Sequence, residues 1–180
     1  MSTNVKMLRG NLKVVIAYPE AFANPATPTS TELNNLFVYG TKEDAMVFDI
    51  SCAIVDDGYT FNLTESEVDD TRTICQIGQV QNPTFQTYEV SLDCLRDKSV
   101  TDNGVFNLAW DQLKGVDRPY WVISRTGVAQ ADNFAAGQDI KMLGVTTDNP
   151  VDLVEDNALV KFGARFKNTG ELNWNHRLQA

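Results

Sequence analysis

The 180-residue sequence has one histidine, three cysteines and far fewer cations than anions, and each shortage excludes a class of chemistry. His176 stands near the C-terminal end on an alternating apolar face, and no serine or cysteine forms a nucleophile motif with it. It reads as a satisfied structural histidine. Cys52, Cys75 and Cys94 are odd in number and far apart. A zinc site needs paired spacing and usually histidine, so they read as buried free thiols in a reducing cell. There is no G-x-G-x-x-G and no P-loop. Asp56-Asp57 and Asp69-Asp70 lack the ligand spacing of an EF-hand and read as a turn and a solvated acidic loop. Glu89 and Asp93 lie four apart on a strand, about 13 Å, too far for the paired carboxylates of glycoside hydrolysis. No enzyme, cofactor or metal is expected.

No stretch approaches the ~20 apolar residues of a membrane span. Lys6 and Arg9, Val14 to Ala17 and Ala21 to Ala23 imitate a signal peptide. The apolar run is too short, and Lys13, Pro19 and Glu20 interrupt it, so secretion by this route is rejected. Fifteen Lys and Arg against 24 Asp and Glu give a net charge of −9. That balance opposes a nucleic-acid binder held by phosphate contacts. It does not oppose a surface that DNA slides past without sticking.

What is present is a strand–helix–strand stretch from Pro83 to Arg125. Tyr88, Val90, Leu92 and Cys94 alternate with Glu89, Ser91 and Asp93, the period of a half-buried strand. The period then changes: Phe106, Ala109, Trp110 and Leu113 fall at helical spacing. Thr101, Asp102 and Asn103 offer N-cap oxygens. Lys114 suits the helix C-terminus and Gly115 a left-handed stop. Pro119 forbids continuation, and Tyr120 to Ile123 is a strand apolar on both faces. One short amphipathic helix between strands must lie on a sheet.

The remaining chain reads as strands and connections. Leu12 to Ala17 is a first strand. Tyr18 to Asn35, with Pro19, Pro25 and Pro28, reads as an extended arm rather than a packed element. Met46 to Val55 and Tyr59 to Thr64 read as a hairpin turned by Asp56-Asp57-Gly58. Glu65 to Pro83 is a long acidic excursion. Asp139 to Thr147 is a strand, and Ala158 to Lys167 another, ended by a turn at Asn168-Thr169-Gly170. Leu172, Trp174, His176 and Leu178 alternate in a last strand or arm. The organisation is one domain over 1–180, with an N-terminal strand and arm to about 35, a core to about 168 and a C-terminal arm at 169–180.

Two strand faces differ in charge. Glu89, Ser91 and Asp93 make one polar and acidic; Lys161, Arg165 and Lys167 make another basic. Such faces, with arms, suit self-assembly through heterologous contacts. Ordinary solvated strands explain them equally well.

Several runs resemble the major tail protein of phages with long non-contractile tails, especially those of actinobacterial hosts. They are Asp56 to Thr64 with Asp69 to Thr73, Asn82 to Phe85 with Tyr88 to Leu92, Gly144 to Asp148, Leu153 to Asn157, and Phe162 to Phe166. The likeness runs from about Leu33 onward, in the family's order. It implies a mainly β fold, a β-sandwich or partly closed barrel with one flanking α-helix. It implies hexameric rings stacked into a tail tube around a tape-measure protein, bounded by tail-terminator and tail-tip proteins. The tube would be assembled in the bacterial host cytoplasm and carried in the virion tail, and DNA would pass through it without specific binding.

On that resemblance Glu89, Ser91 and Asp93 are expected to face the lumen. Glu65, Glu67, Asp69, Asp70 and Arg72 of the excursion, with both arms, are expected to bridge subunits or rings. Lys161, Arg165 and Lys167 are expected to meet the acidic region of a neighbour from Asp148 to Asp156, with Asp152, Glu155 and Asp156. Deleting Tyr18 to Ser30 is expected to leave a folded subunit. The alternative is a soluble β-barrel module binding a ligand or glycan with Trp110, Trp121 or Trp174.

Overall fold

The computed structural model describes residues 11–37, 45–64, 67–69, 82–85, 87–99, 101–153 and 159–180, with backbone alone at 37, 67–69, 82–85 and 175. The strands are β1 (Lys13–Ala17), β2 (Leu36–Phe37), β3 (Val47–Asp49), β4 (Ile54–Leu63), β5 (Glu67–Asp69), β6 (Asn82–Phe85), β7 (Tyr88–Leu95), β8 (Pro119–Arg125), β9 (Asp139–Thr147), β10 (Val151–Leu153) and β11 (Lys161–Arg177). The helices are α1 (Ser30–Leu33) and α2 (Val105–Leu113). The fold is mainly β, a curled open sheet forming a half-barrel. Its order is β2-β3-β1-β8-β9-β11-β7-β4, with β10 beside β11 and a separate β5–β6 ribbon. All pairs are antiparallel except β2–β3.

Three central strands are apolar on both faces because they serve two cores. Alternation sends Val14, Ile16, Tyr120, Val122, Leu143 and Val145 into the main core. There they meet Phe61, Val90, Leu92, Cys94, Phe162 and, from α2, Leu108, Ala109 and Leu113. The other face sends Val15, Ala17, Trp121, Ile123, Ile140 and Met142 into a second core with Phe22, Leu33, Val47, Phe134 and Leu178. β11 joins the two halves of the sheet. Its 17 residues pair with β7 from Lys161 to Arg165 and with β9 from Phe166 to Arg177. A usual strand has about five or six residues, and this one is long because it has two partners in succession.

The structure corrects five sequence readings. Asp56-Asp57-Gly58 is not a turn: β4 runs through it as a bulge. Ile54 pairs with Cys94 and Tyr59 with Leu92, so Val55 to Gly58 oppose Asp93 alone. Gly58 is required there, since a Cβ would lie 2.7 Å from Asp93 Cβ and 2.8 Å from its carbonyl oxygen. The strand expected over Met46 to Val55 is only Val47–Asp49, followed by a 3₁₀ turn at Ser51–Ala53. Asn168 to Gly170 does not end a strand either. The stretch bulges out where Val145 pairs with Asn168 and Leu143 with Leu172, and Gly170 takes φ 87°. Tyr88 fills the bulge: its hydroxyl meets the carbonyls of Gly144 and Glu171 and accepts the Gly170 amide at 3.2 Å.

Fourth, α2 begins at Gly104 with no side-chain cap. The expected cap residues are replaced by the buried Asn107, whose amide reaches back to the carbonyls of Ser99 (2.8 Å) and Asp102 (2.7 Å). Past its end the left-handed residue is Asp117 (φ 58°), not Gly115, whose missing Cβ leaves room for the Arg118 side chain.

Fifth, Tyr18 to Asn35 is packed. A 3₁₀ turn at Pro19–Ala21 leads to α1, closed by a capping box in which Thr29 and Glu32 bond each other's backbone amides. Glu32 also accepts the Ala23 amide at 2.9 Å. Phe22 and Leu33 are thereby pressed on the second face of the sheet. The C-terminal end is held against the same segment, the Ser30 amide donating to the Gln179 carbonyl at 2.9 Å.

Candidate assembly surface

Register puts the expected lumen residues on one outward face. Asn62 stands opposite Glu89, Thr60 opposite Ser91, and Ser91 opposite Arg165. Directly paired residues share a face. Glu89 is exposed, while Ser91 and Asp93 are half-buried. The acidic and basic faces are therefore not segregated, since β7 and β11 are neighbours. Arg165 Nη1 donates to Asp93 Oδ1 at 3.0 Å. It reaches there by lying across Gly163, the residue opposite Asp93, where a Cβ would come within 2.8 Å of the guanidinium.

Lys167 also finds an acidic neighbour within the chain. Lys167 Nζ is 3.5 Å from Asp148 Oδ2. The Asn149 amide and Lys167 together hold the Asp148 carboxyl below its usual value. Lys161 is opposite Leu153 on β10, while the exposed Asp152 is opposite Phe162. Glu67 and Asp69 lie on the β5–β6 ribbon, described by backbone alone. Glu65, Asp70, Arg72, Glu155 and Asp156 lie outside the described residues.

β4 ends the sheet order, and among the described residues no strand pairs with its second edge. Ten residues of edge backbone are thus presented beside the polar face, with Asp56 and Asp57 exposed along it. Charge on an edge limits indiscriminate pairing and leaves it to a matching partner. The opposite end of the sheet is closed by the two-residue β2.

A buried cationic cluster, which the sequence reading passed over, fixes the loop 126–138. Arg125 is 1% exposed. It donates to the carbonyls of Ala129 (2.7 Å), Asn133 (2.9 Å) and Asp132 (3.1 Å) and covers the Phe134 ring. Burial pulls its pKa below the ordinary guanidinium value, against the carboxylates of Asp132 and Asp49. Lys13 is buried beside it, 3.3 Å from Asp49 and 3.2 Å from the Asp132 carbonyl. The signal in the sequence was a cation at the end of a strand apolar on both faces.

Among the described residues neither the histidine nor the cysteines form a site. His176 is half-buried with Nε2 unpartnered, which differs from the satisfied histidine expected. Cys94 is buried, and burial, with Asp93 beside it, pushes its thiol up to about 12. Cys52 is exposed rather than buried, and Cys75 is outside the described residues.

A family model for phage tail tube protein matches residues 1–176. The chain belongs to the phage tail tube protein family. No curated protein matches it. As a tail tube protein it is a structural component of the virion tail that assembles with copies of itself. A tail tube subunit needs surfaces that meet other subunits and one that faces the bore.

Proposed function

We propose that this chain is the repeating subunit of hexameric rings stacked into the tube of a non-contractile phage tail, with the outward face of β4, β7 and β11 lining the bore. The observation that carries the reading is a ten-residue strand edge with no pairing strand among the described residues, beside a polar face bearing Glu89. Closing that edge on a neighbouring copy extends the curled sheet around a ring and removes the hazard of a free edge. The polar face then looks inward, where DNA passes during ejection without specific binding. The tape-measure protein fills the bore during assembly in the bacterial cytoplasm, and terminator and tip proteins close the two ends. A net charge of −9 supports such a conduit, because like charge keeps phosphates from adhering.

Electron microscopy of the purified protein at rising concentration tests assembly, with hollow tubes or rings the expected outcome. Persistent monomers, even with tail-tip proteins added, would overturn it. The bore is tested with Glu89→Lys, because Asp93 is tied to Arg165 and its reversal would set two cations about 3 Å apart. The variant should fold and assemble but release DNA more slowly. Unchanged ejection would place the face elsewhere.

A further inference from the structure

Residues 1–10 include Lys6 and Arg9 and no acidic residue, a net +2 in a chain of net −9. Met7 and Leu8 stand between the two cations. The segment joins the fold at Asn11, whose carbonyl accepts the Gly127 amide at 3.1 Å. β1 runs away from that point. At its far end Ala17 pairs with Val47, and the Tyr18 amide donates to the Met46 carbonyl at 2.9 Å.

Beside that far end lies an open groove of about 640 Å³. Its described walls include Glu20, Ala21, Glu32, Met46 and Val47, with two carboxylates and no cation among the described lining residues. Met46 is a large apolar side chain left 38% exposed there. The capping box and the Ala23 amide hold Glu32 in place, so one carboxylate of the groove is fixed before anything binds. An acidic groove with an apolar wall complements the run Lys6-Met7-Leu8-Arg9.

Direction decides whose segment fits. Asn11 and Ala17 are separated by roughly 20 Å of extended strand. The segment therefore leaves from one end of β1 and the groove opens at the other. A segment that joins at one end and a receptor at the opposite end suit a head-to-tail contact between copies, the kind that can repeat along a stack. Ten residues reach at most ~33–36 Å, enough to enter a copy stacked on this one.

We propose that residues 1–10 of one copy dock in the groove of the next, with Lys6 and Arg9 toward Glu20 and Glu32 and with Met7 and Leu8 against Met46 and Ala21. The inference rests on the tube reading for the direction in which copies stack. It reassigns the roles of the N-terminal region: the packed stretch 18–35 is the receptor, and the segment ahead of β1 is the connector.

The test uses two full-length chains lacking the exposed Cys52 and also Cys75 (Cys52→Ser, Cys75→Ser), one bearing Met7→Cys and the other Met46→Cys. Mixed and mildly oxidised, they should give a disulfide-linked heterodimer on a non-reducing gel. Glu20→Lys in the second chain should slow its formation up to about fivefold, the scale of one exposed ion pair, and Lys6→Glu in the first should restore it. No mixed cross-link, or a charge swap without rescue, overturns the proposal. If one chain bearing both Met7→Cys and Met46→Cys closes on itself at high dilution, the groove holds its own segment and the proposal also falls. The same samples are imaged. Tubes without the mixed cross-link discard the groove contact and keep the tube, while cross-linked pairs that form no tube keep the contact and discard the tube.

Discussion

Arg125 shows how one residue determines the shape of a loop. Its guanidinium collects three backbone carbonyls of 126–138; that of Asp132 is shared with Lys13 and that of Ala129 with the Asp132 amide, so the Asn133 carbonyl depends on it most. Replacing it with methionine keeps the volume and removes the donors. One orphaned acceptor costs ~1–3 kcal/mol, so Arg125→Met should lower stability by about that much, read as a fall in the urea midpoint. Glu32 is the comparable residue in the segment over the second core. Burial pushes its carboxyl up, but hydrogen bonds from the Ala23 and Thr29 amides and the Thr29 hydroxyl outweigh this and hold it below its ordinary value. A depressed folded value means that its contribution is complete above the unfolded value and is lost as pH falls through the folded one. Acid should therefore loosen residues 18–35 before the main core. Near-ultraviolet circular dichroism through that range should show a step that Glu32→Gln removes.

Among the elements, α1 and the turn before it differ most from their sequence appearance. Three prolines in eighteen residues resemble a linker, yet Phe22 and Leu33 are inserted into a core. Phe22→Ala should cost about 3 kcal/mol. Deleting Tyr18 to Ser30 uncovers Val15, Trp121, Ile123 and Met142, so the expectation of a folded subunit does not hold. The deletion should bind a hydrophobic dye and unfold without cooperativity; a normal sharp transition would show that the second core is dispensable. β4 carries the same lesson on a smaller scale. Asp-Gly is a turn signal only where the chain reverses, and here the neighbouring Asp93 backbone needed a bulge instead.

For the whole molecule, charge rather than any single pair governs association. Arg165 and Lys167 are engaged by Asp93 and Asp148 of their own chain, which leaves them little to offer a neighbour. Copies of net charge −9 repel, and salt shortens the screening length from about 10 Å at 0.1 M to about 3 Å at 1 M. Tube assembly should thus begin at lower protein concentration as salt rises, measured by light scattering. Assembly that weakens with salt would mean that attractive pairs between copies dominate.

Local pattern was legible wherever one periodicity acted alone. The alternation from Tyr88 to Cys94, the doubly apolar β8 and the helical spacing of α2 all appear in the structure near the bounds that their residues implied. These features depend on side chains a few residues apart, which a sequence displays. The bulges at Gly58 and Gly170, the single long β11, the burial of Phe22 and Leu33, the cluster at Arg125 and the meeting of Asp93 with Arg165 depend on partners tens of residues distant. So the sequence by itself determined the strands, the helix, the negative charge and a family likeness. Only the tertiary structure decided which strands are neighbours, because register is a relation between segments and is written in neither one alone.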